Sequence, residues 1–308
     1  MPLTLKHLLL FVLLFVSACA PHPASGPKAK PALSAGPVTT APGFYRIPFG
    51  ALQLTSLRDG GYVTPNDGAD FGSQVGPAAV AKLLKAAGAP TDRISLSVDA
   101  LLVRMPGHLV LLDTGLGPTD HGVLSQSLAL AGVTPAQITD VLITHDHIDH
   151  VGGLVTSDGK PAFPNAVIHI SAKEWPVMQR GEPTKTIAAA VAGQVKTFDS
   201  GQPILPGITP VALYGHTPGH TGYEIASNGH ALEDIGDVAH SSIVNLGEPA
   251  WRGGMDEDPA AGAATRVKEL ARLAATHQML FSPHFPWPGI GRIEAKGDGY
   301  VWKPEPGG

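Results

Sequence analysis

Residues 144 to 153 read THDHIDHVGG, three histidines and two aspartates in ten positions, directly after the apolar run Val141–Ile143. The whole chain of 308 residues has 14 histidines, so the density is local. Polar groups at the end of an apolar strand are either solvated or held by something that satisfies them. The rest of the sequence favours the second. His216 and His220 stand in GHTPGHTGY, Asp237 in EDIGDVAH and His284 in FSPHFPWPG, each after a strand-like apolar run and beside Gly or Pro. A chain with this pattern must fold so that strand ends far apart in sequence meet at one place. In α/β enzymes such strand ends are where the chemistry sits.

The residue types suit a metal. Imidazole and carboxylate are ligands of zinc and its first-row neighbours. A strand running into a turn can aim His145 and His147 at one point, because positions i and i+2 share a face. The turn then directs Asp149 and His150 toward a second point, and Asp146 shapes the turn. A carboxylate such as Asp237 has two oxygens and can bridge two cations. Cations about 3.5–4 Å apart can hold a hydroxide between them at neutral pH, and that hydroxide is a nucleophile.

The flanking sequence supplies the scaffold. FGALQLTSLRDGG (49–61), ISLSVDALLVRM (94–105), HLVLLDTGLG (108–117) and NAVIHIS (165–171) read as strands, the third ending in a Gly-rich turn. Thr134-Pro135 starts a short helix before the strand 140–144, and a second helix falls around Ala172–Gln179. Residues 208–227 read as strand, loop and strand, and 279–289 as a strand breaking into a loop. The clearest helix is 258–277, capped by Asp258 with Pro259 in its first turn and Val267, Leu270, Leu273 and Ala274 on one face. Strands dominate both halves with few helices among them, an α+β pattern. Trp175, Phe285 and Trp287 are candidates for an apolar substrate pocket, although Trp175 suits a helix core equally. His169 alternates with Ile168 and Ile170 and is expected on the outer face of a strand. His108 and His121 are expected in solvated turns, and Phe44 and Tyr45 in packing roles.

HDHIDH carries the HxHxDH signature of the metallo-β-lactamase superfamily, with LVLLDTG upstream and GHTPGHT and GD downstream in that superfamily's order. The resemblance extends over residues 43–305. It implies a four-layer αββα sandwich with a dinuclear metal site at one edge of the two sheets. Carried over by position, His145, His147 and His220 hold one ion, Asp149, His150 and His284 the other, and Asp237 bridges them. His216 and Asp113 support the ligands from behind. The ions implied are two divalent cations, zinc first, with manganese, cobalt or iron as alternatives. Within the superfamily the stretches APGFYRIPFGALQLTSLRDG, FPNAVIHISAKE and PGIGRIEAKGDGYVWKP resemble the methyl parathion hydrolase-like branch, which borders the acyl-homoserine lactonases. Those lactonases have a tyrosine three residues after the bridging aspartate, where this chain has His240. Relatives of this branch are often dimers.

The function implied is metal-dependent hydrolysis of a lactone, aryl ester or organophosphate triester, with Asp149, Asp237 and His240 as the catalytic side chains. The attacking group is the bridging hydroxide, and Asp149, His240 or water protonates the leaving oxygen. The alternatives are a glyoxalase II-like thiolester hydrolase and a non-catalytic metal-binding envelope lipoprotein. The net charge of −5, with no basic stripe, argues against a nucleic-acid partner.

The N-terminus reads as an address. Residues 1–18 have a weakly basic start and an apolar run, Leu8–Val16, as in a secretory signal. VSAC resembles a bacterial lipobox, which makes Cys19, the chain's one cysteine, the site of lipidation. Residues 19–43, rich in Pro, Ala, Ser and Gly, read as a flexible tether, and residues 44–308 as the hydrolase domain. The expected location is the bacterial envelope, lipid-anchored at the outer membrane and facing the periplasm. The alternative is cleavage after Ala20, giving a soluble periplasmic or secreted protein.

Overall fold

The computed structural model describes residues 37–305. The signal, Cys19 and the first part of the expected tether lie outside the described residues. The last part of that tether is inside them and is tied down. Pro37 bridges to Tyr62, the Val38 N–H donates to Gly61 O at 2.7 Å, and the Gly43 N–H donates to Ser127 Oγ at 3.0 Å.

Two sheets carry the described residues. The first orders β1 (Phe44–Phe49), β2 (Leu52–Pro65), β3 (Arg93–Met105), β4 (His108–Leu112), β5 (Asp140–Leu142), β6 (Val167–Ser171) and β7 (Val195–Phe198) side by side. It is antiparallel through β4 and parallel from β4 to β7. The second contains β8 (Ile208–Ala212), β9 (Thr221–Ser227), β10 (His230–Asp234), β11 (Met279–Phe281), β12 (Ile290–Lys296) and β13 (Gly299–Pro304). Its pairs are antiparallel except β10 with β11. The helices are α1 (Pro77–Ala86), α2 (Leu124–Leu130), α3 (Ile148–Val151), α4 (Trp175–Met178), α5 (Thr184–Val191), α6 (Val244–Gly247) and α7 (Pro259–Thr276).

The apolar runs of β3 and β4 are continuous because both faces are covered. Leu101, Val103, Val110 and Leu112 point between the sheets, against Ile208, Tyr223, Ile225 and Phe281. Ala100, Leu102, Leu109 and Leu111 point the other way, against Leu124 and Leu128 of α2 and Ile187 and Val191 of α5. On the far side, Leu280 and Ile293 of the second sheet pack on Leu270 and Leu273 of α7. The result is helix, sheet, sheet, helix, the expected four layers. Truncating a buried leucine of this kind to alanine costs about 2–5 kcal/mol.

Two assignments from periodicity change. His169 is buried, not on an open face, and its Nε2 lies 3.0 Å from Asp140 Oδ1, while His108 Nδ1 lies 2.8 Å from Oδ2 of the same carboxylate. These hydrogen bonds join β4, β5 and β6 at one end. Val267 faces solvent on α7, whereas Arg266 and Glu269 are buried.

Candidate metal centre

The site is built where β4, β5, β8, β10 and β11 end. After β4, Asp113 adopts φ 56°, a left-handed backbone that side chains rarely tolerate. From there its carboxylate accepts from the Thr144 N–H and hydroxyl, both at 2.8 Å, and from His150 Nδ1 at 2.8 Å. The end of β5 and the start of α3 are thereby tied to the end of β4. His145 and His147 lie between these anchors, with Asp149 on α3 beside His150.

Each of three histidines has Nδ1 taken by an acceptor. His150 meets Asp113, His284 donates to Ser97 O at 2.7 Å, and His216 meets Asp256 Oδ1 at 3.2 Å. An N–H held at Nδ1 leaves Nε2 with a lone pair in the neutral ring, and that lone pair faces the site. His216 Nε2 lies 3.2 Å from His145 Nε2, 2.9 Å from His147 Nδ1 and 3.1 Å from Asp237 Oδ2. On the other side, Asp237 Oδ1 lies 3.3 Å from His150 Nε2 and 3.1 Å from His284 Nε2. Asp149 Oδ2 completes that group, 3.8 Å from His150 Nε2 and 3.6 Å from His284 Nε2. Asp237 thus offers one oxygen to each of two clusters.

The donor set fits cations. His145, His147, His216 and Asp237 present four ligand atoms within 4.8 Å of one another, and Asp149, His150 and His284 present three more. Ligands held about 2.0–2.1 Å from a tetrahedral zinc lie about 3.4 Å apart, close to the spacing seen. Buried His150 Nε2 and Asp237 Oδ1 have no hydrogen-bond partner. Leaving such atoms bare costs about 1–3 kcal/mol each, a cost that coordination would remove.

The electrostatics agree. Burial alone would raise the Asp237 carboxyl, but His284, His150, His240 and His145 around it hold it well below the usual range. Burial and the neighbouring His150 push His145 well below its ordinary value. Burial opposes charge on His216, yet Asp237 and Asp256 outweigh it and raise its pKa to about 9; His150 and His284 are raised by Asp237 in the same way, so without a cation these rings hold protons that coordination would displace.

The structure exchanges two expected roles. His216, read as a supporting residue, is in the cluster, and His220, read as a ligand, stands behind it. His220 Nδ1 donates to Leu213 O at 2.9 Å, and its Nε2 accepts the Asp237 N–H at 2.9 Å, so both ring nitrogens are used by backbone. Burial and the nearby His216 bring its pKa down to about 3, consistent with a neutral ring that accepts. The contact requires Gly236, at φ 46°, since a Cβ there would lie 2.6 Å from His220 Nε2.

The remaining candidates divide. His240 Nε2 lies 3.0 Å from Asp237 Oδ2, and its ring stacks on His284 at 5.3 Å. Trp287 is half-buried beneath the Arg58 guanidinium, 4.5 Å from its ring. Trp175 packs on the core beneath α5. Phe285 is no pocket wall: it is fully buried and packs edge-on to Trp302 at 5.0 Å.

Two supporting residues carried no sequence signal. Buried Glu174 accepts the Asp146 N–H at 3.0 Å and the Gly219 N–H at 2.8 Å, joining two ligand-bearing loops. Burial and the nearby Asp146 raise its pKa to about 7. Asp256 lies in GGMDEDPAAG, an acidic turn whose spacing says nothing of a histidine forty positions upstream.

A solved dizinc quorum-quenching lactonase, AidC in complex with a product, superposes with a TM-score of 0.81 at 31% identity, over 86% of this chain and 98% of that one. The metallo-beta-lactamase superfamily model matches residues 94–232. The chain belongs to the metallo-beta-lactamase superfamily. A second solved structure, the hydrolase AbOPH in the beta lactamase superfamily, gives a TM-score of 0.77 at 29% identity, over 87% of this chain and 99% of that one. Metallo-beta-lactamase domain-containing protein 1 of Xenopus laevis is 33% identical over 129 residues, 42% of this chain and 47% of that protein. The chain spans about half the length of such curated relatives.

Proposed function

We propose that this metallo-beta-lactamase superfamily member hydrolyses ester-type bonds, with lactones as the leading substrate class and aryl esters and phosphotriesters beside them. The observation that carries the reading is Asp237, one oxygen turned toward His145 and His216 and the other toward His150 and His284. Two divalent ions, zinc first, would supply Lewis acidity and an activated water nucleophile near neutral pH. The residues that would hold them are His145, His147 and His216 on one side and Asp149, His150 and His284 on the other, with Asp237 between. The chain's own contribution is position. Asp113, Asp256 and the Ser97 carbonyl aim imidazole lone pairs inward. His240, hydrogen-bonded to Asp237 and stacked on His284, stands where a proton can be passed to a leaving oxygen. The 31% identity to a lactonase over nearly its whole length supports the lactone as first substrate. The three sequence stretches noted above support a methyl parathion hydrolase-like branch.

The test is a turnover screen of the zinc-, manganese- and cobalt-loaded protein on acyl lactones, aryl esters, phosphotriesters and thiolesters. Lactone or ester turnover that chelation abolishes, with about two equivalents of metal bound, is the expected result. Asp237→Ala should lose both turnover and metal. Turnover that survives chelation, or an Asp237→Ala protein that keeps its rate, would overturn the reading.

A further inference from the structure

We propose that Asp256 and Arg266 form a positioning pair that sets how firmly His216 holds its metal ion; this rests on the reading that His216 is a ligand. The loop that carries His216 is held by Glu174 at Gly219, and at His216 itself by groups from one side. The Glu257 N–H donates to His216 O at 2.9 Å, the Asp258 N–H to Gly215 O at 3.0 Å, and the Thr265 hydroxyl to Tyr214 O at 2.7 Å. Asp256 Oδ1 meets the ring at Nδ1. All four groups come from α7 or the three residues before it.

The approach is close. Gly215 has φ 128°, and a Cβ on it would lie 2.3 Å from Gly262 N. A Cβ on Gly262 would lie 2.6 Å from the Asp256 carboxyl carbon. Two glycines facing each other let the first turn of α7 press onto the histidine loop, with the aspartate wedged beside them.

Arg266 completes the device. It is 2% exposed, one turn further along α7. Its Nε donates to Pro249 O at 2.9 Å, its Nη2 to Trp251 O at 2.8 Å and its Nη1 to Val238 O at 3.1 Å, with Asp256 Oδ2 at 3.5 Å from Nη1. A buried guanidinium is tolerated only when its donors are met, and its planar fork fixes the direction of each bond. Here that fork holds the second oxygen of Asp256, leaving the first turned to His216. It also grips the carbonyl next to Asp237. One side chain of α7 therefore steadies two members of the same metal cluster without touching the metal.

The experiment is a cobalt(II) titration of the chelated full chain, read by binding stoichiometry, affinity and the visible absorption of each ion. The proteins are wild type, Asp256→Asn, Asp256→Ala, Arg266→Lys, His216→Ala and, as a control on the same helix, Arg272→Lys, which pairs with Glu233 and Glu269. Asp256→Asn should weaken one of the two ions by roughly 10–100-fold and change its absorption band, leaving the other ion as in wild type. Asp256→Ala should weaken it further, Arg266→Lys should act in the same direction, and Arg272→Lys should leave both ions unchanged. If Arg266→Lys does not fold by circular dichroism, Asp256→Asn, which preserves volume, carries the test. Wild-type binding and spectra in Asp256→Asn would overturn the inference with the proposed function intact. A wild type that takes up no cobalt, or a His216→Ala protein that binds both ions normally, would overturn the reading beneath it.

Discussion

His216 and His220 are four residues apart, both buried, and identical in type, yet their neighbours give them different work. His216 has one nitrogen on a carboxylate and the other among donors that could hold a cation. His220 has both nitrogens spent on the backbone of Leu213 and Asp237. Removing His216 should therefore take bound metal from about two equivalents to about one, measured by elemental analysis. Removing His220 should leave two equivalents but lower the melting temperature, because the Leu213 carbonyl and the Asp237 N–H lose their partner at about 1–3 kcal/mol each. If His220→Ala loses an ion at an unchanged melting temperature, the expected ligand set with His220 in it is restored.

At the scale of elements, Asp59 shows how the pieces around the site are joined. The register of β2 on β3 shifts between Arg58 and Gly60. The carboxylate of Asp59 there accepts the Leu116 N–H at 2.6 Å and the Leu124 N–H at 2.7 Å, linking β2 to the loop after β4 and to the first turn of α2. Burial raises its pKa to about 6 in spite of those bonds, which lower it. The folded protein thus holds this proton more tightly than the unfolded chain, whose aspartate titrates near the ordinary 3.8. Its contribution to stability is greatest below about pH 4, falls as pH rises to about 6, and is level above. Against an Asp59→Asn protein, whose side chain does not titrate, wild type should lose on the order of 3 kcal/mol across that window. Denaturant titrations at pH 4, 5, 6 and 7 measure it, and a flat difference would show that the carboxyl titrates normally. The strands β3 and β4 were legible because burial on both faces leaves long apolar runs. Helix α7 was legible from Asp258, which accepts the Ala260 and Ala261 N–H groups, and from Pro259. Helices α3 and α6 were not, since each is four residues long and lies in a loop beside the ligands, where polar and Gly residues leave no periodicity to read.

For the whole molecule, the lipobox resemblance at Cys19 bears on where the domain is held. If Cys19 carries lipid, two or three acyl chains anchor firmly, each buried CH₂ contributing about 0.8 kcal/mol. Cys19→Ser should then move the protein from the membrane pellet to the soluble envelope fraction, followed by immunoblot. Unchanged association with the membrane would count against the lipobox. The hydrogen bonds of Val38 and Gly43 to β2 and α2 hold the chain to the domain from Pro37 onward, within the stretch 19–43 expected as tether.

By itself the sequence determined the donor chemistry, the strand ends that carry it and the α+β class, because residue type and apolar periodicity are local properties of a chain. Phe285 shows the limit: an aromatic beside His284 reads as a pocket wall, and only packing against Trp302 put it in the core. The tertiary structure alone decided that His216 rather than His220 faces the cluster. It also brought Glu174, Asp256 and Arg266 to the ligand loops. The physical reason is the same in each case. Whether a nitrogen is free to bind depends on which acceptor lies about 3 Å from the other side of its ring, and that acceptor comes from a segment remote in sequence.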